Sequence, residues 1–264
     1  MPSATEERFI QMGESHLWSI ASGEGTPVVF LNGGPGCDDY LEPVACLIDN
    51  EYRVIRFESR GCGRSTWDGH YNLETFLLDV EKIRVAYGYD RWIILGHSHG
   101  PNLALAYALR HPTQTIGIIG ITGGKIVDDR AWSETYHERL KAIGEDNGGK
   151  EFHSDPEVNR RGNADWRGYC RQPGLLRDIA NLEVPCVFIN AAADIRPNWP
   201  TQQLAMLIPN ARYLEIEGAA HMIWLTHAAE LQTHLREALT YILSVDAHRE
   251  LDTQPPYLPI FPTP

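Results

Sequence analysis

A short apolar run, Trp92-Ile93-Ile94-Leu95, opens directly into Gly96-His97-Ser98-His99-Gly100 and then into an Ala- and Leu-rich stretch, Asn102–Arg110. The run is short and has no polar positions, as expected of a strand buried on both faces. The alanines and leucines that follow predict a helix sandwiched between layers, and His111-Pro112 stops it. Strand and helix are thus joined by a tight turn centred on Ser98. Glycines flank that serine at two positions because a bulky neighbour there would clash. The helix behind the turn points unpaired N–H groups and the positive end of its dipole toward Ser98.

Further strands are expected at Glu7–Gly13, Ser15–Ser22, Thr26–Asn32, Arg53–Glu58, Ile116–Ile121, Pro185–Asn190 and Tyr213–Ile216. A helix is expected over Asn72–Tyr87, with Asn72 as N-cap and Phe76, Val80, Ile83 and Tyr87 on its apolar face. Leu231, Leu235, Ala238 and Ile242 mark a last amphipathic helix. The alternation predicts an α/β chain: a mostly parallel eight-stranded sheet with helices on both faces. Residues 125–183 break the rhythm and are read as a small helical cap inserted after the sixth strand. The expected division is a core of 1–124 and 184–248, a cap of 125–183, and a Pro-rich tail of 249–264.

The net charge of −12, from 23 basic and 35 acidic residues, argues against nucleic acid or an anionic membrane as partner. No apolar run reaches the ~18 residues of a spanning helix. Met1–Gln11 lacks an apolar signal core, so a cytoplasmic location is expected. The five cysteines are odd in number and form no CxxC pair, which suggests neither a disulfide framework nor a zinc ribbon. His97 and His99 have no third metal ligand at a recognisable spacing, so no metal and no other cofactor is expected.

Ser98 is the expected nucleophile. Its base is expected in Gly218-Ala219-Ala220-His221, just after the last strand. Asp194 ends Asn190-Ala191-Ala192-Ala193-Asp194 after the strand that follows the cap, where it can accept the Nδ1–H of a histidine. Both residues fall at strand ends on one edge of the sheet, where α/β active sites lie. Asp128 or Asp129 is the alternative acid. His227, His234 and His248 read as solvated helix residues and Ser65 as a turn residue. The glycine turn Asn32-Gly33-Gly34-Pro35-Gly36 allows its backbone close to a substrate carbonyl, and the N–H of His99 lies next to the nucleophile.

Four stretches carry a family resemblance. Asn32-Gly33-Gly34-Pro35-Gly36 looks like His-Gly-Gly-Pro-Gly, and Glu58-Ser59-Arg60-Gly61-Cys62-Gly63-Arg64-Ser65 looks like Asp-Gln-Arg-Gly-x-Gly-x-Ser. The segment 78–84 followed by strand and elbow, and the helix at 103–108, complete the pattern. The chain resembles the α/β-hydrolase superfamily and, within it, the proline iminopeptidase (prolyl aminopeptidase) branch. The resemblance implies the α/β-hydrolase fold, a Ser98–Asp194–His221 triad, and Gly34 with His99 as oxyanion donors. It also implies acyl transfer on an ester or amide, releasing N-terminal residues from small peptides. The alternatives are a carboxylesterase or other small-molecule hydrolase and, behind these, a non-catalytic ligand-binding protein. The expected partner is a small molecule or short peptide. Asn32, Glu58-Ser59 and His99 depart from the branch's usual residues. An aminopeptidase must also neutralise a free amino group. The cap offers Glu134, Glu138, Glu145, Asp146, Glu151, Asp155 and Glu157, but basic residues are interspersed and these acids read more simply as a solvated helical face.

Overall fold

The computed structural model describes residues 5–126, 130–144 and 153–253. Eight strands form one sheet: β1 Glu6–Met12, β2 Ser15–Ser22, β3 Pro27–Leu31, β4 Arg53–Phe57, β5 Trp92–His97, β6 Thr115–Ile121, β7 Cys186–Ala191 and β8 Ala211–Ile216. Their spatial order is β1-β2-β4-β3-β5-β6-β7-β8. β1 and β2 form an antiparallel hairpin, β2 meets β4 antiparallel, and every pair from β4 through β8 is parallel. The expected mostly parallel, eight-stranded sheet is therefore present.

The central strands read as unbroken apolar runs because alternate side chains enter two different cores. Val29 and Leu31 of β3 join one core, whereas Val28 and Phe30 join the other. The first core is covered by α2 (Leu73–Ala86) and α3 (Gly100–Arg110), the second by α8 (Ala228–Thr253). Asn72 caps α2 as expected, its side chain accepting the Thr75 N–H at 2.8 Å. α3 begins at Gly100, directly behind the serine turn, rather than at Asn102.

Among the described residues, three helices lie between β6 and β7: α4 Arg130–Ile143, α5 Pro156–Cys170 and α6 Leu175–Ala180. Two short helices were not legible in the sequence, α1 (Glu42–Ala45) and α7 (Trp199–Leu207). One expectation needs correction. α8 runs on to Thr253, into the stretch 249–264 that was expected to be the tail. No proline or glycine interrupts the chain there before Pro255, and Arg249 pairs with Asp246 one turn back at 3.1 Å. The Pro-rich stretch 254–264 lies outside the described residues, as do Asp128 and Asp129.

Candidate active site

Three loops meet at the C-terminal ends of the parallel strands. The first is the turn after β5. Ser98 sits there with φ of 60°, a left-handed conformation unusual for a residue with a side chain, and its N–H bonds the Ile121 carbonyl at 2.9 Å. The flanking glycines are sterically required. A Cβ on Gly96 would overlap the backbone of Gly100, and one on Gly100 would overlap the Leu31 carbonyl. Gly123, after β6, faces the Ser98 carbonyl just as closely.

The second loop follows β7 and holds Asp194; the third follows β8 and holds His221. They are tied together where the Ala193 N–H bonds the Ala219 carbonyl at 2.9 Å. His221 Nδ1 lies 2.6 Å from Asp194 Oδ2, with both residues buried. The other carboxylate oxygen, Oδ1, accepts the Arg196 N–H at 2.8 Å and its guanidinium at 3.3 Å. Burial pushes the Asp194 carboxyl up, but His221 and Arg196 outweigh it and hold the group below the usual carboxylate range. Ser98, Asp194 and His221 line one cavity of about 600 Å³.

Gly34 and His99 line the same cavity. Among the described residues, neither backbone N–H has a hydrogen-bond acceptor. The Gly34–Pro35 peptide is cis, and the Pro35 carbonyl accepts the Asn159 side chain of α5 at 2.8 Å. The His99 side chain is buried edge-on against Trp166, ring centroids 5.7 Å apart. Burial, with Lys125 adding to it, lowers its pKa to about 4, so the ring is neutral.

His97 turns the opposite way. Its Nε2 approaches the His221 carbonyl at 3.2 Å, and its Nδ1 lies 2.6 Å from the Tyr40 hydroxyl. Burial and the nearby His221 push its pKa well below the imidazole range. A carbonyl only accepts, so Nε2 carries the proton and Tyr40 donates to Nδ1. Tyr40 in turn accepts the Gly33 N–H at 2.8 Å. Sequence reading missed Tyr40, Arg196 and Thr122, whose hydroxyl also donates to the His221 carbonyl at 3.0 Å. No motif marks these residues; their roles exist only once the loops converge.

The remaining sequence candidates sort cleanly. Ser65 is a turn residue: its hydroxyl donates to the Glu58 carbonyl at 2.7 Å and accepts the Trp18 N–H at 2.9 Å. Glu58 is bound by Arg64 rather than facing the cavity. Trp132 and Trp166 line the cavity, whereas Trp224 packs against His97 and Tyr40. Of the cap acids, Glu134 and Glu138 are exposed, Glu157 pairs with Arg160 and Arg161, and Asp155 caps α5 through the Val158 N–H. Glu145, Asp146 and Glu151 lie outside the described residues.

Sheet order, elbow and loop placement define the α/β-hydrolase fold, and the family model described as alpha/beta hydrolase fold matches residues 26–149. Within that class the chain is similar to proline iminopeptidases. It is 44% identical to that of Xylella fastidiosa over 102 residues, covering 36% of this chain and 31% of the relative. It is 33% identical to that of Neisseria gonorrhoeae over 124 residues, covering 42% and 38% respectively. These matches thus span only 31% and 38% of the relatives' own length. The solved proline iminopeptidase of Mycobacterium smegmatis superposes with a TM-score of 0.70 at 18% identity, over 92% of this chain and all of that one. A thermophilic esterase from Thermogutta terrifontis superposes with a TM-score of 0.67 at 19% identity, over 91% and 99%. No helix among the described residues is long and apolar enough to cross a membrane.

Proposed function

We propose that the chain is a serine hydrolase that cleaves an ester or amide through an acyl-enzyme. The observation that carries this reading is the 2.6 Å contact between His221 Nδ1 and Asp194 Oδ2, in the cavity that also exposes the strained Ser98 turn. With Nδ1–H held by Asp194, Nε2 is the nitrogen that takes the Ser98 proton as Oγ attacks the substrate carbonyl. The negative charge that forms on the carbonyl oxygen is met by the N–H groups of Gly34 and His99 at the N-terminus of α3. Losing one such donor typically costs ~10²–10³ in rate. The bond to the leaving group breaks as His221 returns the proton to it. Water then attacks the acyl carbon and gives a proton to His221; the acyl–Oγ bond breaks as His221 returns that proton to Oγ, releasing the carboxylic acid and restoring Ser98.

The resemblance to proline iminopeptidases supports the same chemistry, and release of N-terminal residues is the substrate reading it favours. The matched family segment, 26–149, carries the oxyanion loop and the nucleophile turn but not Asp194 or His221. A second reading, a small-molecule esterase, is favoured by the cavity walls: among the described residues, no cap carboxylate lines them. A rate assay comparing L-proline p-nitroanilide with p-nitrophenyl butyrate, against Ser98→Ala as background, decides between the two. Ser98-dependent turnover of the anilide establishes the aminopeptidase; turnover of the ester alone establishes the esterase. A fluorophosphonate that fails to label Ser98, with no turnover of either substrate, removes the hydrolase reading altogether.

A further inference from the structure

The cap and the glycine turn after β3 are joined by backbone pairing. Cys37 and Ser154 form an antiparallel bridge. On either side of it the Asp38 N–H donates to the His153 carbonyl at 3.2 Å, and the Asp155 N–H to the Gly36 carbonyl at 3.0 Å. His153 Nδ1 also lies 3.1 Å from the Asp38 carboxylate. Asp155 then caps α5 through the Val158 N–H at 2.8 Å, so the helix starts directly on this pairing.

The start of α5 lies against the turn itself. A Cβ on Gly162 would stand 2.6 Å from the Pro35 ring, and one on Gly36 would stand 3.1 Å from the Asn159 backbone nitrogen. Across this close contact Asn159 Nδ2 donates to the Pro35 carbonyl at 2.8 Å. The Ser154 hydroxyl is a longer donor to the same carbonyl, at 3.5 Å. The orientation of the Asn159 amide follows from its neighbours. Asn163 Nδ2 donates to the Asn159 backbone carbonyl at 2.9 Å and to Asn159 Oδ1 at 3.1 Å. Carbonyl oxygens only accept, so Oδ1 faces Asn163 and Nδ2 faces Pro35.

We infer that Asn159 is a positioning residue for the reaction: it holds the Pro35 carbonyl from the cap and thereby sets where the Gly34 N–H stands. This rests on the serine hydrolase reading, in which that N–H meets the oxyanion. The turn is tied on its other side as well, where the Gly33 N–H bonds the Tyr40 hydroxyl at 2.8 Å. Core and cap thus hold the turn at Gly33 and at Pro35, on either side of the donor. An oxyanion donor acts on charge that forms only in the transition state, so displacing it lowers kcat and leaves substrate binding almost unchanged. A misplacement of about 1 Å can cost ~10² in rate.

The test is Asn159→Ala, with kcat and KM measured on whichever of p-nitrophenyl butyrate and L-proline p-nitroanilide the native chain turns over. Two inhibitors of one carbon skeleton accompany it. The carbonyl carbon of 1,1,1-trifluoropentan-2-one takes a bond from Ser98 Oγ, the Oγ proton passes to His221, and the carbonyl electron pair moves to oxygen, which places an oxyanion at the donors. The matching alcohol, 1,1,1-trifluoropentan-2-ol, has no carbonyl and forms no adduct. In the variant, kcat is expected to fall about tenfold with KM within about twofold. The Ki of the ketone should rise about tenfold while that of the alcohol stays within about twofold. Asn159→Asp keeps the size of the side chain, but its carboxylate cannot donate, and it should lose at least as much. It carries the test if the alanine variant does not fold. Unchanged kcat in a folded variant, or equal weakening of ketone and alcohol, overturns the inference and leaves the hydrolase reading standing. A native chain with no turnover and no fluorophosphonate label on Ser98 removes the reading and the inference together.

Discussion

His97 Nε2 donates to the backbone carbonyl of His221 across 3.2 Å, and the two rings lie 4.8 Å apart. The residue before the expected nucleophile thereby holds the loop that carries the expected base. On its other side His97 accepts from Tyr40, which accepts from Gly33 in the glycine turn after β3. One buried chain of hydrogen bonds thus links the glycine turn after β3, the end of β5 and the His221 loop.

Tyr40→Phe tests that chain. It leaves the Gly33 N–H without its acceptor and His97 Nδ1 without its donor, both in a buried site. A lost buried partner typically costs ~1–3 kcal/mol, so urea unfolding should show a loss in that range. If the chain acts by positioning the His221 loop, kcat on p-nitrophenyl butyrate should fall about tenfold with KM little changed. An unchanged kcat in a destabilised variant would reduce Tyr40 to a structural role.

Two buried groups give the molecule an ordered response to acid. His99 has its folded pKa lowered to about 4 from 6.5. A depressed histidine contributes stability that is present above pH 6.5 and lost as pH falls toward 4. At 1.36 kcal/mol per unit this amounts to about 3 kcal/mol. Urea midpoints at pH 7 and pH 4.5 should therefore diverge less in His99→Gln than in the native chain. An equal divergence in both would show that His99 does not carry the effect.

Asp194 responds lower on the scale. Its folded pKa is depressed. Its contribution is present above the ordinary carboxylate value of ~3.9 and lost as pH falls through the folded value. Asp194→Asn should remove that lower part of the acid transition. It should also cost ~10⁴ in kcat, the loss seen when a triad histidine is held in the wrong tautomer. A loss of less than about tenfold would mean that another acid serves His221.

The strand-and-turn grammar was legible because burial on both faces writes unbroken apolar runs and the elbow demands glycine at 96 and 100. The placement of Asp194 and His221 in the loops after β7 and β8 was readable as well. α7 was not: Pro200 sits in its first turn, where proline is tolerated, yet in the sequence it reads as a breaker. The Tyr40–His97 link and the Arg196–Asp194 pair were invisible, because side-chain partners distant in sequence are fixed by loop packing alone. The cap acids show the converse. They read as a solvated face or an amine site, and the described ones, Glu134, Glu138, Asp155 and Glu157, do not line the cavity.

Two glycines with ordinary backbone angles separate steric need from chance. A Cβ on Gly123 would overlap the Ser98 carbonyl, while one on Gly168, near the end of α5, meets nothing within 4 Å. Neither has positive φ, so alanine brings no backbone strain at either site. Gly123→Ala must move the nucleophile turn, and overpacking against backbone typically costs ~1–3 kcal/mol or more. Gly168→Ala instead lowers the entropy of the unfolded chain and should stabilise by ~0.4–1 kcal/mol. Urea unfolding of the two single variants should therefore shift in opposite directions. If Gly123→Ala were as stable as the native chain, the close approach between the β6 loop and Ser98 would not be a constraint on the turn.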